Sequence, residues 1–126
     1  MRIVIDASVL ISGFISRSGG SHQLLNSRNN LIVSSLVIEE YLSFIRKHPA
    51  LSILAQQFLN QLHVFVIEPE KIGAYCRDPS DDYLVNLAVE TSADYLATLD
   101  NDLLVLKHVG KTKIAKPEAI MAVRGM

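Results

Sequence analysis

Residues 77–104, RDPSDDYLVNLAVETSADYLATLDNDLL, decide the fold class. The segment Arg77–Ser80 (RDPS) carries turn chemistry, Asp and Ser flanking a Pro. From Asp81 to Ser92 the chain reads as a helix, with Leu84, Val85 and Ala88 gathered on one face. Tyr95–Thr98 is a short run without polar alternation, as a strand covered on both faces requires, and it ends near Asp100. A helix feeding a buried strand is the repeating unit of a parallel α/β sheet.

The same alternation runs outward in both directions. Arg2–Ile5 is a β-branched apolar strand ending in Asp6. Ser16–Ser21 reads as a loop, His22–Ser27 as a short helix and Leu31–Val33 as a second strand. Ser34 or Ser35 can cap the next helix, in which Ile38, Tyr41, Leu42 and Ile45 fall at i, i+3, i+4 and i+7. His48-Pro49 stops that helix. A further helix spans Leu51–Leu62, and a third strand, Val64–Ile67, is ended by Glu68-Pro69. Beyond the opening stretch, Lys113–Ala115 is a weaker fifth strand closed by Pro117, and a last helix runs through Ala119–Val123. This order predicts an α/β protein: a three-layer α/β/α sandwich with a mostly parallel sheet of about five strands. Right-handed crossovers put the strand C-termini on one edge, and the site belongs in the crevice beyond it.

Composition narrows the function. A chain of 126 residues, 49% of them apolar, suits a single domain spanning 1–126 with a core that needs no staples. A net charge of −1 argues against a scaffold that coats nucleic acid by charge alone. It weighs less against a nuclease, whose acids lower the total. The single cysteine, Cys76, excludes an internal disulfide and a cysteine zinc site. The opening MRIVIDASVLISGF places an Asp inside the apolar run and is a poor signal peptide. No apolar run reaches the roughly 20 residues that span a bilayer, so the expected location is cytoplasmic and no membrane is involved.

The carboxylates carry the chemistry. Asp6 and Asp100 close separate strands at the predicted active edge. Glu39 shares its helical face with Ser35, Ser43 and Arg46, a solvated face, whereas Glu40 has Leu36, Val37 and Phe44 as neighbours. A carboxylate among apolar groups is costly without compensation, and a bound cation supplies it; the alternative is a boundary Glu whose head reaches water. Asp81 and Asp82 open a helix, where acids are favoured in any case, and spacing leaves open which of them turns inward. Asp102 is either a fifth acid or the N-cap of the turn holding Leu103 and Leu104. Converging carboxylates must take up protons or bind a divalent cation, and an all-oxygen set suits Mg²⁺ or Mn²⁺. Such a cation activates water and steadies a phosphodiester during in-line attack.

At this point the sequence resembles the PIN-domain ribonucleases, in particular those that serve as toxins of bacterial and archaeal toxin–antitoxin pairs. IVIDASVLISGF is similar to the family's opening strand and implies Asp6 as its first acid. SSLVIEEYLSFIRK is similar to the second-acid helix and implies Glu40. Residues 77–104 resemble the family's turn, helix and closing motif, which implies Asp82 and Asp100 as ligands and Asp102 as an auxiliary. Ser8 and Thr98 match hydroxyls that orient carboxylates or waters. Ala7 stands where a hydroxyl residue is frequent, and Leu99 where Gly is frequent. The resemblance implies a metal-dependent endoribonuclease acting on RNA through Mg²⁺ or Mn²⁺, a cognate antitoxin, and a homodimer. Phe44, Leu54 and Phe58, on two apolar-rich helices, would suit that dimer, although ordinary core packing explains them as well.

Other chemistries lack their residues. His22, His48, His63 and His108 fall in no paired metal spacing, and no nucleophile elbow or phosphate-binding loop is present. No side chain stands out as a general base. Arg17, Lys47, Arg77, Lys107 and Lys111 can serve as phosphate contacts or as solvated surface charge. The competing function is a non-catalytic module on the same fold that binds nucleic acid or a partner.

Overall fold

The computed structural model describes residues 1–70, 73 and 79–124. Its strands are β1 (Arg2–Ile5), β2 (Asn30–Val33), β3 (Val64–Val66), β4 (Tyr95–Ala97), β5 (His108–Val109) and β6 (Thr112–Ala115). Its α-helices are α1 (Ala7–Ile15), α2 (Gly20–Leu25), α3 (Ser35–Lys47), α4 (Ser52–Gln61), α5 (Pro79–Glu90), α6 (Asn101–Leu104) and α7 (Pro117–Arg124). A 3-10 turn at Pro49–Leu51 joins α3 to α4.

The strands form one sheet in the order β3-β2-β1-β4-β6-β5, parallel except for the β5–β6 pair. This is the expected mostly parallel sandwich with a sixth, two-residue edge strand added. Central β1 has Ile3, Val4 and Ile5 fully buried, because helices cover both faces of a parallel sheet. Helices α1, α2, α3, α4 and α7 pack against one another, while α5 packs on β1 and β4. The chain leaves the β3 edge, crosses over α5 and returns at β4, on the far side of β1. That reversal between β1 and β4 is the switch point at which such sheets open a crevice.

Several local expectations are sharpened. Ser34 is the N-cap of α3, its hydroxyl accepting the Val37 N–H at 3.1 Å. Tyr41 and Ile45 are buried in the expected stripe, with Ile38 and Leu42 packed partly buried beside them. The α3 helix ends at Lys47, before His48-Pro49. Ala7–Ile15, which shows no clear element pattern in the sequence, is helix α1. Of the RDPS turn, Arg77 and Asp78 lie outside the described residues, as does Cys76, while Pro79 and Ser80 already belong to α5.

Candidate active site

Register builds the site. Ile5 of β1 pairs with Ala97 of β4, so Asp6 and Thr98 follow side by side at the C-terminal edge. The Asp6 N–H bonds the Ala97 carbonyl at 3.1 Å, and the Thr98 N–H bonds the Ala115 carbonyl at 3.2 Å. Asp6 occupies the N-cap position of α1 without capping it. Its Oδ2 instead accepts the Thr98 hydroxyl at 2.6 Å and the Ser8 hydroxyl at 3.0 Å. Each hydroxyl in turn accepts a backbone N–H from the β4 corner: Thr98 Oγ1 from Asp100 at 3.0 Å and Ser8 Oγ from Leu99 at 3.2 Å. Two hydroxyls thus tie the first acid to the strand end that carries the last one.

Leu99 stands at a position where glycine is frequent in the resembling family, yet the corner needs none. Among the described non-glycine residues, positive φ occurs at Ser92 and Lys107, not at Leu99. Asp100 is the N-cap of α6, its Oδ1 accepting the Asp102 N–H at 3.0 Å. The capping role open to Asp102 therefore belongs to Asp100, and Asp102 is an exposed first-turn residue.

A cleft of about 470 Å³ opens here, lined by Asp6, Ala7, Ser8, Ile11, Glu40, Asp81, Leu84, Leu99 and Asp100. The sequence-derived acids Asp6, Glu40 and Asp100 are brought together on it. Glu40 is exposed and borders the cleft. Asp81 and Asp82 lie in the first turn of α5, each only 8% exposed. Asp81 borders the cleft; Asp82 is not among the described residues that do. The Asp82 carbonyl accepts the Asn86 side-chain N–H at 2.7 Å. Among the described residues, no three acids, histidines or cysteines gather closely enough to hold an ion by themselves.

One carboxylate that joins two of these helices has no signal of that role in the sequence. Glu68, just past β3, accepts the Ser35 N–H at 2.6 Å through Oε1 and the Tyr83 hydroxyl through Oε2. Desolvation alone would raise its carboxyl pKa, but the bonds from Tyr83 and Ser35 outweigh it and hold the group below the usual carboxylate range. Glu68 in turn raises the Tyr83 hydroxyl. Nothing local in Glu68-Pro69 signals a partner on α3 or α5.

Fold and cleft together define an α/β sandwich with carboxylate and hydroxyl side chains gathered at its topological switch point. Residues 2–102 match the model of the PIN domain family, and the chain belongs to that family. Among solved structures, the chain is similar to one described as VapBC2 from Rickettsia felis bound to a DNA fragment from their promoter. The match has a TM-score of 0.64 at 14% identity and covers 92% of this chain and 98% of the other, a likeness of fold. No curated protein matches the chain. No described helix is long and apolar enough to cross a membrane.

Proposed function

We propose that this chain is a metal-dependent endoribonuclease, the toxin of a toxin–antitoxin pair. One observation carries the reading: Asp6 and Asp100 close neighbouring strands, are tied by Thr98 and Ser8, and share a cleft with Glu40 and Asp81. Membership of the PIN domain family supports the nuclease chemistry. The VapBC2 neighbour supports a protein partner of the antitoxin kind.

The donor set fits a hard divalent cation, because the cleft offers carboxylate and hydroxyl oxygens. Mg²⁺ keeps several waters and takes only one or two direct carboxylates. Asp6, Glu40, Asp82 and Asp100 would hold the ion directly or through water, with Asp102 as auxiliary and Asp81 as a neighbour on the cleft wall. When bound, the ion supplies an activated water and neutralises phosphate charge. Asp6, which lines the cleft, is held for this by two hydroxyl donors on the same oxygen, Oδ2. Ile11, Leu84 and Leu99 supply an apolar wall that limits water around the scissile phosphate.

The toxin reading carries a cognate antitoxin and a homodimer. Exposed Ile53 and Leu54 on α4, with partly buried Phe44 and Phe58, supply apolar surface for such contacts. The reading is tested by incubating labelled single-stranded RNA with Mg²⁺ or Mn²⁺ and analysing the ends produced, for wild type, Asp81→Asn and Asp82→Asn. The expected products carry 5′-phosphate and 3′-hydroxyl ends, and Asp82→Asn loses cutting while remaining folded. Cyclic phosphate ends would contradict the mechanism. Loss in Asp81→Asn alone would move the ligand role by one residue. Ion binding without any cutting would favour the binding-module reading.

A further inference from the structure

We infer that Glu68 is a positioning residue that sets the separation of the two acid-bearing helices across the cleft; this rests on the nuclease reading above. The α3 helix carries Glu40 and the first turn of α5 carries Asp81 and Asp82. These helices belong to different crossovers, and each contributes an acid to the cleft lining. Glu68 bonds both. Its Oε1 accepts the N–H of Ser35, the first residue of α3, one of the donors that a helix start leaves without an internal partner. Its Oε2 accepts the hydroxyl of Tyr83, the residue following Asp82.

The carboxylate is itself anchored from the sheet. The Ile67 N–H continues the β2–β3 ladder by bonding the Val33 carbonyl at 2.9 Å, and Val33 precedes the Ser34 cap of α3. Glu68 thus follows directly on the β2–β3 ladder, and negative charge is favoured at the helix start it touches. Ser34 already caps α3 from within, so the helix does not depend on Glu68 to form. What Glu68 adds is a link between helices, which bears on where Glu40 stands relative to Asp81 and Asp82.

The test compares wild type, Tyr83→Phe, Glu68→Ala and Glu68→Gln by three readouts: thermal unfolding, Mn²⁺ affinity by calorimetry, and kcat and KM on a labelled single-stranded RNA. Tyr83→Phe keeps the ring and removes only the hydroxyl, so it guards against a Glu68 variant that fails to fold. The expected result is a Tm within about 5 °C of wild type. Mn²⁺ binding weakens about threefold to tenfold and kcat falls by a similar factor, with KM nearly unchanged, in both Tyr83→Phe and Glu68→Ala. Glu68→Gln, which retains one carbonyl acceptor, recovers part of the loss. If Tm falls while Mn²⁺ affinity and kcat stay at wild-type values, Glu68 is only a structural cap and the proposal is overturned. If the wild type itself neither binds Mn²⁺ nor cuts RNA, the nuclease reading fails and takes this proposal with it.

Discussion

Thr98 shows how much one hydroxyl does at this site. It donates to Asp6 at 2.6 Å and accepts from the Asp100 backbone at 3.0 Å, so it fixes both strand-end acids at once. Thr98→Val keeps the branched shape and removes both bonds. Steady-state RNA cleavage is expected to fall about 10-fold to 100-fold in kcat with the fold retained, as loss of a group orienting metal ligands does; unchanged kcat would remove Thr98 from the site. Tyr41 gives a prediction of another kind. Its hydroxyl donates to the Ala55 carbonyl at 2.8 Å, and burial pushes its pKa up to about 12. The ordinary value is about 10. Stability from this group is therefore complete below about pH 10 and is lost as pH rises through 12, where the unfolded chain has released a proton that the folded chain keeps. Denaturant unfolding between pH 9 and 12 should show that decline, and Tyr41→Phe should flatten it at a cost of about 1 kcal/mol near neutrality. The strand-end acids were legible because Asp interrupts or ends an apolar run at positions 6 and 100. The choice between Asp81 and Asp82 was not, because both sit in a first helical turn where acids are favoured whichever way they point.

At the scale of elements, α3 shows a clear stripe in its sequence and α1 does not. Helix α3 alternates faces and carries its own cap. Ser34→Ala should cost about 1 kcal/mol by removing the acceptor for the Val37 N–H, measured by chemical denaturation. Helix α1, ASVLISGFI, is apolar on several sides because α2 and α3 both pack on it, so its period is blurred. Close packing elsewhere hides in single glycines. A Cβ at Gly20 would lie 2.9 Å from the Glu118 backbone N, where α2 meets α7. Gly20→Ala should destabilise by about 1–3 kcal/mol, and a wild-type melting curve would show that α2 and α7 can part without cost. The β5–β6 hairpin carries a local signal: two residues, Gly110 and Lys111, separate the strands, and Gly110 holds φ at +55°.

For the whole molecule, the alternation of strands and helices was enough to give the class, because buried parallel strands must be apolar on both faces. The order of the strands was not legible, since the pairing of β1 with β4 joins segments some 90 residues apart and rests on no local pattern. That pairing nevertheless makes the site, bringing Asp6 beside Thr98 and Asp100, while the β3-to-β4 crossover brings α5 to the same cleft. The link through Glu68 was invisible for the same reason, both its partners being remote in sequence. The central claim is that this convergence of acids cuts RNA with a divalent ion. The most direct measurement is cleavage of a 5′-labelled single-stranded RNA by purified protein with Mn²⁺ and with EDTA, wild type beside Asp6→Asn, with circular dichroism confirming that both are folded. The account predicts cutting by wild type with Mn²⁺, none with EDTA, and at least about a 100-fold loss in Asp6→Asn, a deficit of about 2.7 kcal/mol in transition-state stabilisation. Equal cutting by a folded Asp6→Asn, or cutting that persists in EDTA, would contradict it.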